Sequence, residues 1–178
     1  LSFNGNKIIT TGGGGAILSN KNYLTKKIRS LINLSKKEHL WKFDYSKIGY
    51  NMKVPGINAA LGCAQILNLE KIIRLKRKIF IKYKKEFYNS KYFELVKEPE
   101  NNRSNYWLQN IKLKKNLKKF KNYLIETTNN KGYQTRPAWK LLHQVNHFKK
   151  CPKDDLRVSI DLFNRIISIP SSPNLIKY

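Results

Sequence analysis

Acidic residues are scarce in this sequence: 11 Asp and Glu stand against 36 Lys and Arg, which gives a formal charge of +25. So positive a balance is typical of proteins that bind nucleic acid or an anionic membrane surface. It also arises from compositional drift, because Lys, Asn, Ile, Tyr and Phe have A/T-rich codons and are all abundant here. The lysines are spread along the chain and form no single basic arm, which favours drift.

Cysteines and long apolar runs are lacking as well. Two cysteines, Cys63 and Cys151, are too few for a disulfide framework or a zinc site, and they fit a reducing cytoplasm. Cys63 stands in an apolar helical pattern, so we expect it to be a small buried residue. No stretch approaches the roughly 18 consecutive apolar residues of a membrane span, and none is predicted.

What the sequence does contain is a mixture of strand and helix patterns. β-Branched residues on both sides of a glycine run predict two short strands, at 8–11 and 16–19. An apolar stripe of helical spacing over 24–32 predicts an amphipathic helix. A polar stretch at 35–56 predicts a loop, and a long helix is predicted over 57–88.

The remaining sequence alternates between the two kinds of element. It predicts strands at 92–96, 106–113, 133–136 and 166–170, and helices at 116–128 and 154–165. With 40% hydrophobic and 12% aromatic residues, the chain can build a core. Such alternation is typical of an α/β or α+β fold.

Lys7 lies between a small polar loop and four consecutive glycines, Gly12 to Gly15. No Gly-Lys-Ser/Thr follows the glycines, which excludes a Walker phosphate loop. Ile17 stands where a dinucleotide fingerprint requires its third glycine. The simplest interpretation of the run is a tight turn or bulge, and that of the lysine is a solvated charge. A lysine fixed on a rigid platform, partly desolvated or near another cation, is however also where a nucleophilic amine is expected.

Four segments occur in one order: SFNGNKIITTGGGGAILSN at 2–20, IGYNMKVPGINAALGCAQ at 48–65, TRPAWKLLHQ at 135–144 and CPKDDLRVSIDLFNRIISIPSSPNL at 151–175. Together they resemble the C-terminal half of the DegT/DnrJ/StrS family of pyridoxal-phosphate-dependent nucleotide-sugar aminotransferases. The resemblance covers essentially the whole sequence. The last two segments are similar to the subgroup that makes UDP-4-amino-4,6-dideoxy-N-acetyl-glucosamine in legionaminic-acid-type pathways.

The resemblance implies an α/β fold, the C-terminal part of an aspartate-aminotransferase-like (fold type I) enzyme. Residues 1–56 would be the end of the large cofactor domain, 57–88 a connecting long helix, and 89–178 a small C-terminal α+β domain. In the family, the N-terminal half supplies an aspartate for the pyridine nitrogen, an aromatic ring stacked on the cofactor and a Gly-Thr turn for its phosphate. None of these can be located in the sequence, so we expect a fragment that is inactive alone.

The resemblance assigns the cofactor, pyridoxal 5'-phosphate, to particular residues. Lys7 matches the catalytic lysine that links to the cofactor aldehyde and moves the proton during transfer. Some relatives with His at this position are dehydratases, so Lys7 favours transamination. Ser2 and Asn51 match residues that bind the cofactor phosphate, the asparagine from across a dimer interface. Lys53 stands where many members have Arg and keeps the charge without the bidentate fork, and Tyr50 could contact cofactor or sugar.

The segment TRPAWKLLHQ supplies the predicted substrate site. Arg136, Trp139, Lys140 and His143 combine two cations, an aromatic ring and an imidazole, which suit a nucleotide diphosphate and a sugar ring. The alternative is an edge strand with a packed tryptophan.

The predicted function is therefore transamination of a nucleotide-linked 4-keto-6-deoxy sugar, derived from UDP-N-acetylglucosamine, for surface glycan or nonulosonate biosynthesis. Glutamate is the expected amino donor and the cytoplasm the expected location. A homodimer is expected because Asn51 makes sense only beside another subunit's site. No metal, membrane or nucleic-acid partner is expected. The alternative is a non-enzymatic basic protein that binds nucleic acid or an anionic surface.

Overall fold

The computed structural model describes residues 1–176, which divide into two units: Leu1–Glu70 (unit 1) and the chain from Lys71 onward (unit 2). This division differs from the boundaries predicted after residues 56 and 88, and the three-part domain organisation stays a prediction. Residues 177 and 178, at the end of the predicted small domain, lie outside the described residues. The helices are α1 (Asn22–Ile32), α2 (Gly56–Leu67), α3 (Leu69–Glu86), α4 (Lys121–Asn130) and α5 (Arg157–Arg165), and the strands are β1 (Phe93–Leu95), β2 (Gln109–Leu113), β3 (Arg136–Pro137) and β4 (Ile166–Ile169).

The two strands predicted at 8–11 and 16–19 are wrong. Residues 1–20 contain no strand, and Ser2 and Gly15 form only an isolated bridge. The Thr10 hydroxyl accepts a hydrogen bond from the backbone N–H two residues further on, at 2.9 Å. Such local side-chain bonds offer the backbone an alternative to a strand ladder, so the β-branched residues here build a folded loop.

The predicted amphipathic helix is confirmed as α1, and the loop predicted at 35–56 is confirmed up to the start of α2. The loop returns to the end of the helix. The backbone N–H groups of Tyr50 and Met52 donate to the carbonyls of Leu31 (2.7 Å) and Ile32 (2.9 Å). These carbonyls have no partner inside the helix, so the returning chain satisfies the helix end.

The prediction of one continuous helix over 57–88 is wrong. This stretch consists of α2 and α3, separated by a turn at Asn68, whose side-chain amide donates back to the Ala64 carbonyl at 3.1 Å. The expected burial of Cys63 is also wrong, because this thiol is exposed. It shares its exposure with large apolar side chains of the same helix, namely Ile57, Leu61, Ile66 and Leu67.

A four-stranded antiparallel sheet forms the centre of unit 2, in the order β1-β2-β4-β3. The strands predicted at 92–96, 106–113 and 166–170 are confirmed in a shorter form, whereas the strand predicted at 133–136 is displaced, since β3 consists of Arg136 and Pro137. Tyr106, where β2 was expected to begin, has a left-handed backbone with φ of 46°. The strand therefore starts only at Gln109. Pro137 lies in the edge strand β3, where its missing N–H costs no ladder bond.

The hydrophobic core of the described chain lies in unit 2. Ile111 and Leu113 of β2 pack with Ile167 of β4, which is fully buried. A second cluster joins Leu75 and Ile79 of α3 to the segment after the sheet. One face of the sheet and one face of α3 thus supply the apolar burial.

The two helices predicted at 116–128 and 154–165 are confirmed with shifted bounds. The first begins as a 3₁₀ turn, Lys115–Phe120, and continues as α4. The second, α5, begins only at Arg157; just before it, the Asp155 carboxylate accepts the Arg157 backbone N–H at 3.0 Å, a local bond of the kind that competes with helix.

Candidate functional site

Lys7 lies in a loop whose two ends are joined by backbone hydrogen bonds. The Phe3 N–H donates to the Gly14 carbonyl at 3.0 Å, and Ser2 forms a bridge with Gly15. At Gly15 the chains approach closely, since a side-chain carbon there would lie 2.5 Å from a backbone oxygen. The glycine run therefore closes the loop that carries the lysine.

The predicted cofactor residues Lys7 and Ser2 belong to one turn of this loop. The Lys7 backbone N–H donates to the Asn4 carbonyl at 3.0 Å, and the Asn4 side chain accepts the Gly5 N–H at 2.9 Å. The Ser2 hydroxyl accepts from the Asn4 backbone at 3.5 Å. Lys7 itself is half-buried and Ser2 is exposed. The backbone of the lysine is thus fixed, and the Ser2 hydroxyl proton is still available to a ligand.

A buried threonine connects this loop to α2. Thr11 is 4% exposed, and its carbonyl accepts a hydrogen bond from the Asn58 side-chain amide at 2.6 Å. A side-chain carbon at Gly62, one turn further along α2, would lie 2.8 Å from the Thr11 methyl group. Asn58 was not predicted as a site residue; its signal in the sequence is a polar side chain in the first turn of a largely apolar helix.

The predicted residues Tyr50, Asn51 and Lys53 follow one another on the returning segment of unit 1. The bridge between Asn33 and Asn51 and the bonds to the end of α1 fix their backbone. All three side chains are exposed, Tyr50 by 54%. They lie on a rigid edge that is open to a ligand or to another surface.

The other predicted site residues are in unit 2, where Trp139 has the most defined surroundings. Its ring stacks on Trp107, with ring centroids 5.8 Å apart and planes 22° apart, yet it remains 68% exposed. The Trp107 carbonyl accepts a hydrogen bond from the Lys76 ammonium at 2.8 Å, and this ammonium also donates to the Ser171 carbonyl at 2.7 Å. Burial lowers the pKa of Lys76 to about 8. The exposed Trp139 ring therefore packs on Trp107, whose backbone carbonyl is held by Lys76.

Arg136 and His143 line two different cavities of unit 2. Arg136, on the edge strand β3, lines a cavity of about 550 Å³ together with Tyr83. His143 is half-buried and lines a cavity of about 370 Å³ together with Cys151. Lys140 is exposed. Neither of these two cavities is lined by all four residues of the predicted substrate site, and their joint role stays a prediction.

Within residues 1–176, no group of three or more His, Cys, Asp or Glu side chains stands close enough to hold a metal ion. No helix within this range is long and apolar enough to cross a membrane.

Comparisons with known proteins extend these observations. The chain is 31% identical to the UDP-4-amino-4,6-dideoxy-N-acetyl-beta-L-altrosamine transaminase of Campylobacter jejuni subsp. jejuni serotype O:23/36, over 84% of the chain and 40% of the relative. It is 29% identical to the GDP-perosamine synthase of Vibrio cholerae, over 98% of the chain and 47% of the relative. The chain thus spans about half the length of the curated relatives that it matches.

Among solved structures, the fold is similar to that of Helicobacter pylori PseC, an aminotransferase involved in the biosynthesis of pseudoaminic acid. The TM-score is 0.91 at 22% identity, and the match covers 98% of this chain and 47% of PseC. The predicted fold class is thereby confirmed. The model of the DegT/DnrJ/EryC1/StrS aminotransferase family, whose enzymes depend on pyridoxal phosphate, matches residues 1–177. The chain belongs to the DegT/DnrJ/EryC1/StrS aminotransferase family.

Proposed function

We propose that this chain carries the catalytic lysine of a pyridoxal-phosphate-dependent aminotransferase that acts on a nucleotide-linked 4-keto-6-deoxy sugar. The observation that carries the proposal is the position of Lys7, half-buried on a loop that the glycine run closes, in a chain of this family. A fixed backbone limits the positions that the amine can reach, which catalysis of group transfer requires.

The groups around Lys7 fit the cofactor. An aldehyde requires an amine, which Lys7 supplies, and a phosphate requires donors such as the Ser2 hydroxyl. The half-buried lysine and the exposed serine are linked through Asn4, whose carbonyl accepts the Lys7 backbone N–H and whose own N–H donates to the Ser2 hydroxyl. Asn51 and Lys53 would add an amide and a charge from the returning segment.

The chemical role of each residue follows from its type. Pyridoxal phosphate, when bound, supplies the electron sink that allows a proton to leave the carbon bearing the amino group. Lys7 Nζ moves that proton. In the first half of the reaction it takes the proton from the amino donor, which we take to be glutamate. In the second half it delivers a proton to the sugar carbon that receives the amino group. Ser2 and Asn51 orient the cofactor through its phosphate.

We assign the nucleotide sugar to Tyr50, Lys53, Arg136, Trp139, Lys140 and His143. The exposed face of Trp139 offers a stacking surface, and Arg136 offers a planar fork for phosphate oxygens. We propose a UDP-linked sugar derived from N-acetylglucosamine, destined for surface glycan or nonulosonate synthesis. A GDP-linked sugar is the alternative that the names of three relatives support.

We further propose a homodimer with the active site at its interface, in which Asn51 binds the partner subunit's cofactor phosphate. The support is the apolar surface of unit 1, where large side chains are exposed both before and after Asn51. They include Leu40, Trp41, Phe43, Ile48, Met52 and Ile57. Exposed apolar patches of this kind mark interaction surfaces.

The domain organisation and location complete the proposal. Residues 1–56 would form the end of a large cofactor domain. Residues 57–88 would connect it to the small domain, which residues 89–178 would form and which contains the sheet. We place the reaction in the cytoplasm, with the exposed free thiols Cys63 and Cys151 as support.

The test uses the product of the whole reading frame, incubated with pyridoxal phosphate and compared with residues 1–178 alone. After borohydride reduction, peptide mapping should find the cofactor attached to Lys7. Activity with glutamate and the UDP-linked keto sugar, compared with the GDP-linked one, then identifies the nucleotide. We expect the isolated residues 1–178 to bind the cofactor poorly and to show no turnover.

The matched variants are Lys7→Arg and Lys21→Arg. Both keep the charge, and the second changes an exposed lysine of the same unit. Only Lys7→Arg should abolish the attachment and the activity. If the whole protein binds no cofactor while folded, or if Lys7→Arg remains active, the proposal is wrong. Tight nucleic-acid binding with steep salt dependence would then favour the basic binding protein.

A further inference from the structure

A basic cavity lies beside the C-terminal half of α1, entirely within unit 1. Its volume is about 570 Å³, which lies in the range of small-molecule sites. Four cations line it, Lys26 and Arg29 on α1 and Lys36 and Lys37 on the loop that follows. None of the nine residues assigned to cofactor or sugar lines this cavity, so its function is a separate question.

An unusual turn brings the two halves of this cavity together. Leu34 and Ser35 are consecutive non-glycine residues with left-handed backbones, at φ of 62° and 51°. Such conformations cost energy and persist where the surroundings hold them. Here Ser35 is fully buried, and its carbonyl accepts the Ser46 backbone N–H at 2.9 Å and the Ser46 hydroxyl at 3.1 Å. The turn directs the following lysines back toward α1.

Gly49 is required for this arrangement. A side-chain carbon at this position would overlap the Leu34 carbonyl carbon and the Ser35 nitrogen, which are backbone atoms that cannot rotate away. The two passages of chain therefore cross at the closest possible distance. This crossing fixes the wall of the cavity that carries Lys36 and Lys37.

The side chains on that wall are oriented. Lys37 pairs with Asp44 at 2.6 Å, and the Lys36 ammonium stands 4.3 Å from the centre of the Phe43 ring. His39 Nδ1 accepts the backbone N–H groups of the two residues at 41 and 42, at 3.3 and 3.1 Å. In the neutral imidazole its other nitrogen, Nε2, then carries the proton and can donate to a ligand.

The cations of the cavity exceed its anions. Glu38 also lines it, and Asp44 offsets Lys37, so an excess of two positive charges remains. Cations near the C-terminus of a helix are favoured by the helix dipole, which suffices to explain Arg29, in the last turn of α1. It does not explain why a strained, buried turn returns two more lysines and a histidine donor to the same space.

We propose that this cavity binds a small polyanion that carries a diphosphate group. Arg29 presents a planar fork for phosphate oxygens, Lys26 and Lys36 supply charge, and Asn33 and His39 supply neutral donors. A concave site encloses a compact anion, whereas nucleic acid would require an extended basic stripe. The source is inorganic diphosphate or the diphosphate of a nucleotide. The proposal stands whether or not Lys7 binds a cofactor.

The test is isothermal titration of the protein with inorganic diphosphate, UDP, UMP and orthophosphate. The double variant Lys26→Gln/Arg29→Gln should lose at least about tenfold in affinity for diphosphate, since it removes two charge-assisted contacts. The matched control, Lys149→Gln/Lys150→Gln, removes the same charge from exposed positions outside this cavity and should change affinity by less than about twofold. Because UDP also has the proposed sugar site, the comparison rests on the affinity that Lys26→Gln/Arg29→Gln removes. An equal loss for diphosphate and UDP would identify the phosphate groups as the ligand of this cavity, and a larger loss for UDP would identify a nucleotide.

A second variant tests the geometry without changing any charge. Gly49→Ala should weaken diphosphate binding while circular dichroism shows the helices retained. The proposal is overturned if diphosphate does not bind, if both double variants lose affinity equally, or if duplex DNA competes at far lower phosphate concentration. None of these results would affect the attachment of a cofactor to Lys7.

Discussion

The two units of the chain are stabilised in different ways. Unit 2 buries aliphatic side chains between a sheet and its helices, with Ile167 fully enclosed. In unit 1 the residues that reach full burial are small or polar, namely Thr11, Ser35 and Gly62. Its aromatic and aliphatic side chains are at best half-buried, and many are exposed. Unit 2 therefore resembles a domain with its own core, and unit 1 resembles an assembly of hydrogen-bonded loops and helices.

The difference explains where the candidate functional groups occur. A surface rich in exposed apolar groups is stable only if another surface covers it, and the chain spans about half the length of its relatives. Loops fixed by backbone bonds, such as the one that carries Lys7, hold functional groups in place while leaving their side chains accessible. The core of unit 2 supplies rigidity, and unit 1 supplies the accessible groups assigned to the cofactor.

The largest effect expected from this comparison is on the core of unit 2. Ile167→Ala should lower the free energy of unfolding by about 2–5 kcal/mol, because it removes buried carbons and leaves a cavity between β2, β4 and α4. Urea unfolding measures this loss of stability, with tryptophan fluorescence as the signal. A Trp41→Phe background leaves only Trp107 and Trp139, both in unit 2, to report on unfolding. A loss below about 1 kcal/mol would show that this cluster is not the core.

A smaller loss is expected from the ion pair that anchors the loop before β2. The Arg77 guanidinium makes two hydrogen bonds to Glu98, at 2.7 and 3.0 Å, and the Ser104 N–H donates a third at 2.7 Å. The hydrogen bonds from Arg77 are the largest cause, and with the bond from Ser104 they lower the pKa of Glu98 from 4.5 to about 2. The native state thus holds the proton less tightly than the unfolded chain. The stability that the ionised Glu98 contributes to the native state is present above pH 4.5 and is lost as pH falls toward 2.

Glu98→Gln should therefore lower the urea midpoint at neutral pH and flatten its dependence on pH between about 4.5 and 2. The matched control is Glu94→Gln, whose carboxylate is half-exposed and pairs with Lys112 and Lys114 at 3.3 and 3.6 Å. This control should change little, since exposed ion pairs contribute little. Equal behaviour of the two variants would contradict the assigned role of Glu98.

Lys76 gives a smaller effect, which also rises with pH but in an alkaline window. Burial lowers its pKa from 10.5 to about 8, so between these values the unfolded chain binds a proton that the native state lacks. Stability contributed by this group must rise with pH across that window. The difference in unfolding free energy between the protein and Lys76→Met should show this rise, while the exposed Lys78→Met control should not. A flat difference would mean that Lys76 is solvated in the native state.

Sequence patterns predicted the elements of unit 2 better than those of unit 1. Alternation along β2 and apolar spacing along α3 reflect burial in a core that the chain itself supplies, so pattern and structure agree. The β-branched residues at 8–11 gave the same signal, yet Thr10 forms local hydrogen bonds instead of a ladder. A pattern cannot reveal whether a partner strand lies alongside.

The candidate site shows the same limit. Lys7, Ser2 and Asn51 were identified by resemblance to a family motif, and the structure adds the backbone bonds that hold them. Asn58 and the crossing at Gly49 were missed, because contacts across 47 and 15 residues of sequence, from Asn58 to Thr11 and from Gly49 to Leu34, leave no local signal. Nor did the sequence indicate that Arg136 and His143 line separate cavities.

The smallest expected effect is the one that tests the comparison most directly. Ile57 of α2 is 82% exposed, so Ile57→Ala should change the unfolding free energy of this chain by no more than about 0.5 kcal/mol. This change is much smaller than the loss of unfolding free energy expected for Ile167→Ala. Ile57→Ala in the product of the whole reading frame should cost more if another surface covers α2, since the side chain is then buried. Urea unfolding of both proteins, with and without the substitution, gives the four values needed. An equally small effect in the longer protein would mean that α2 stays exposed there, and the proposed interface would have to lie elsewhere on unit 1.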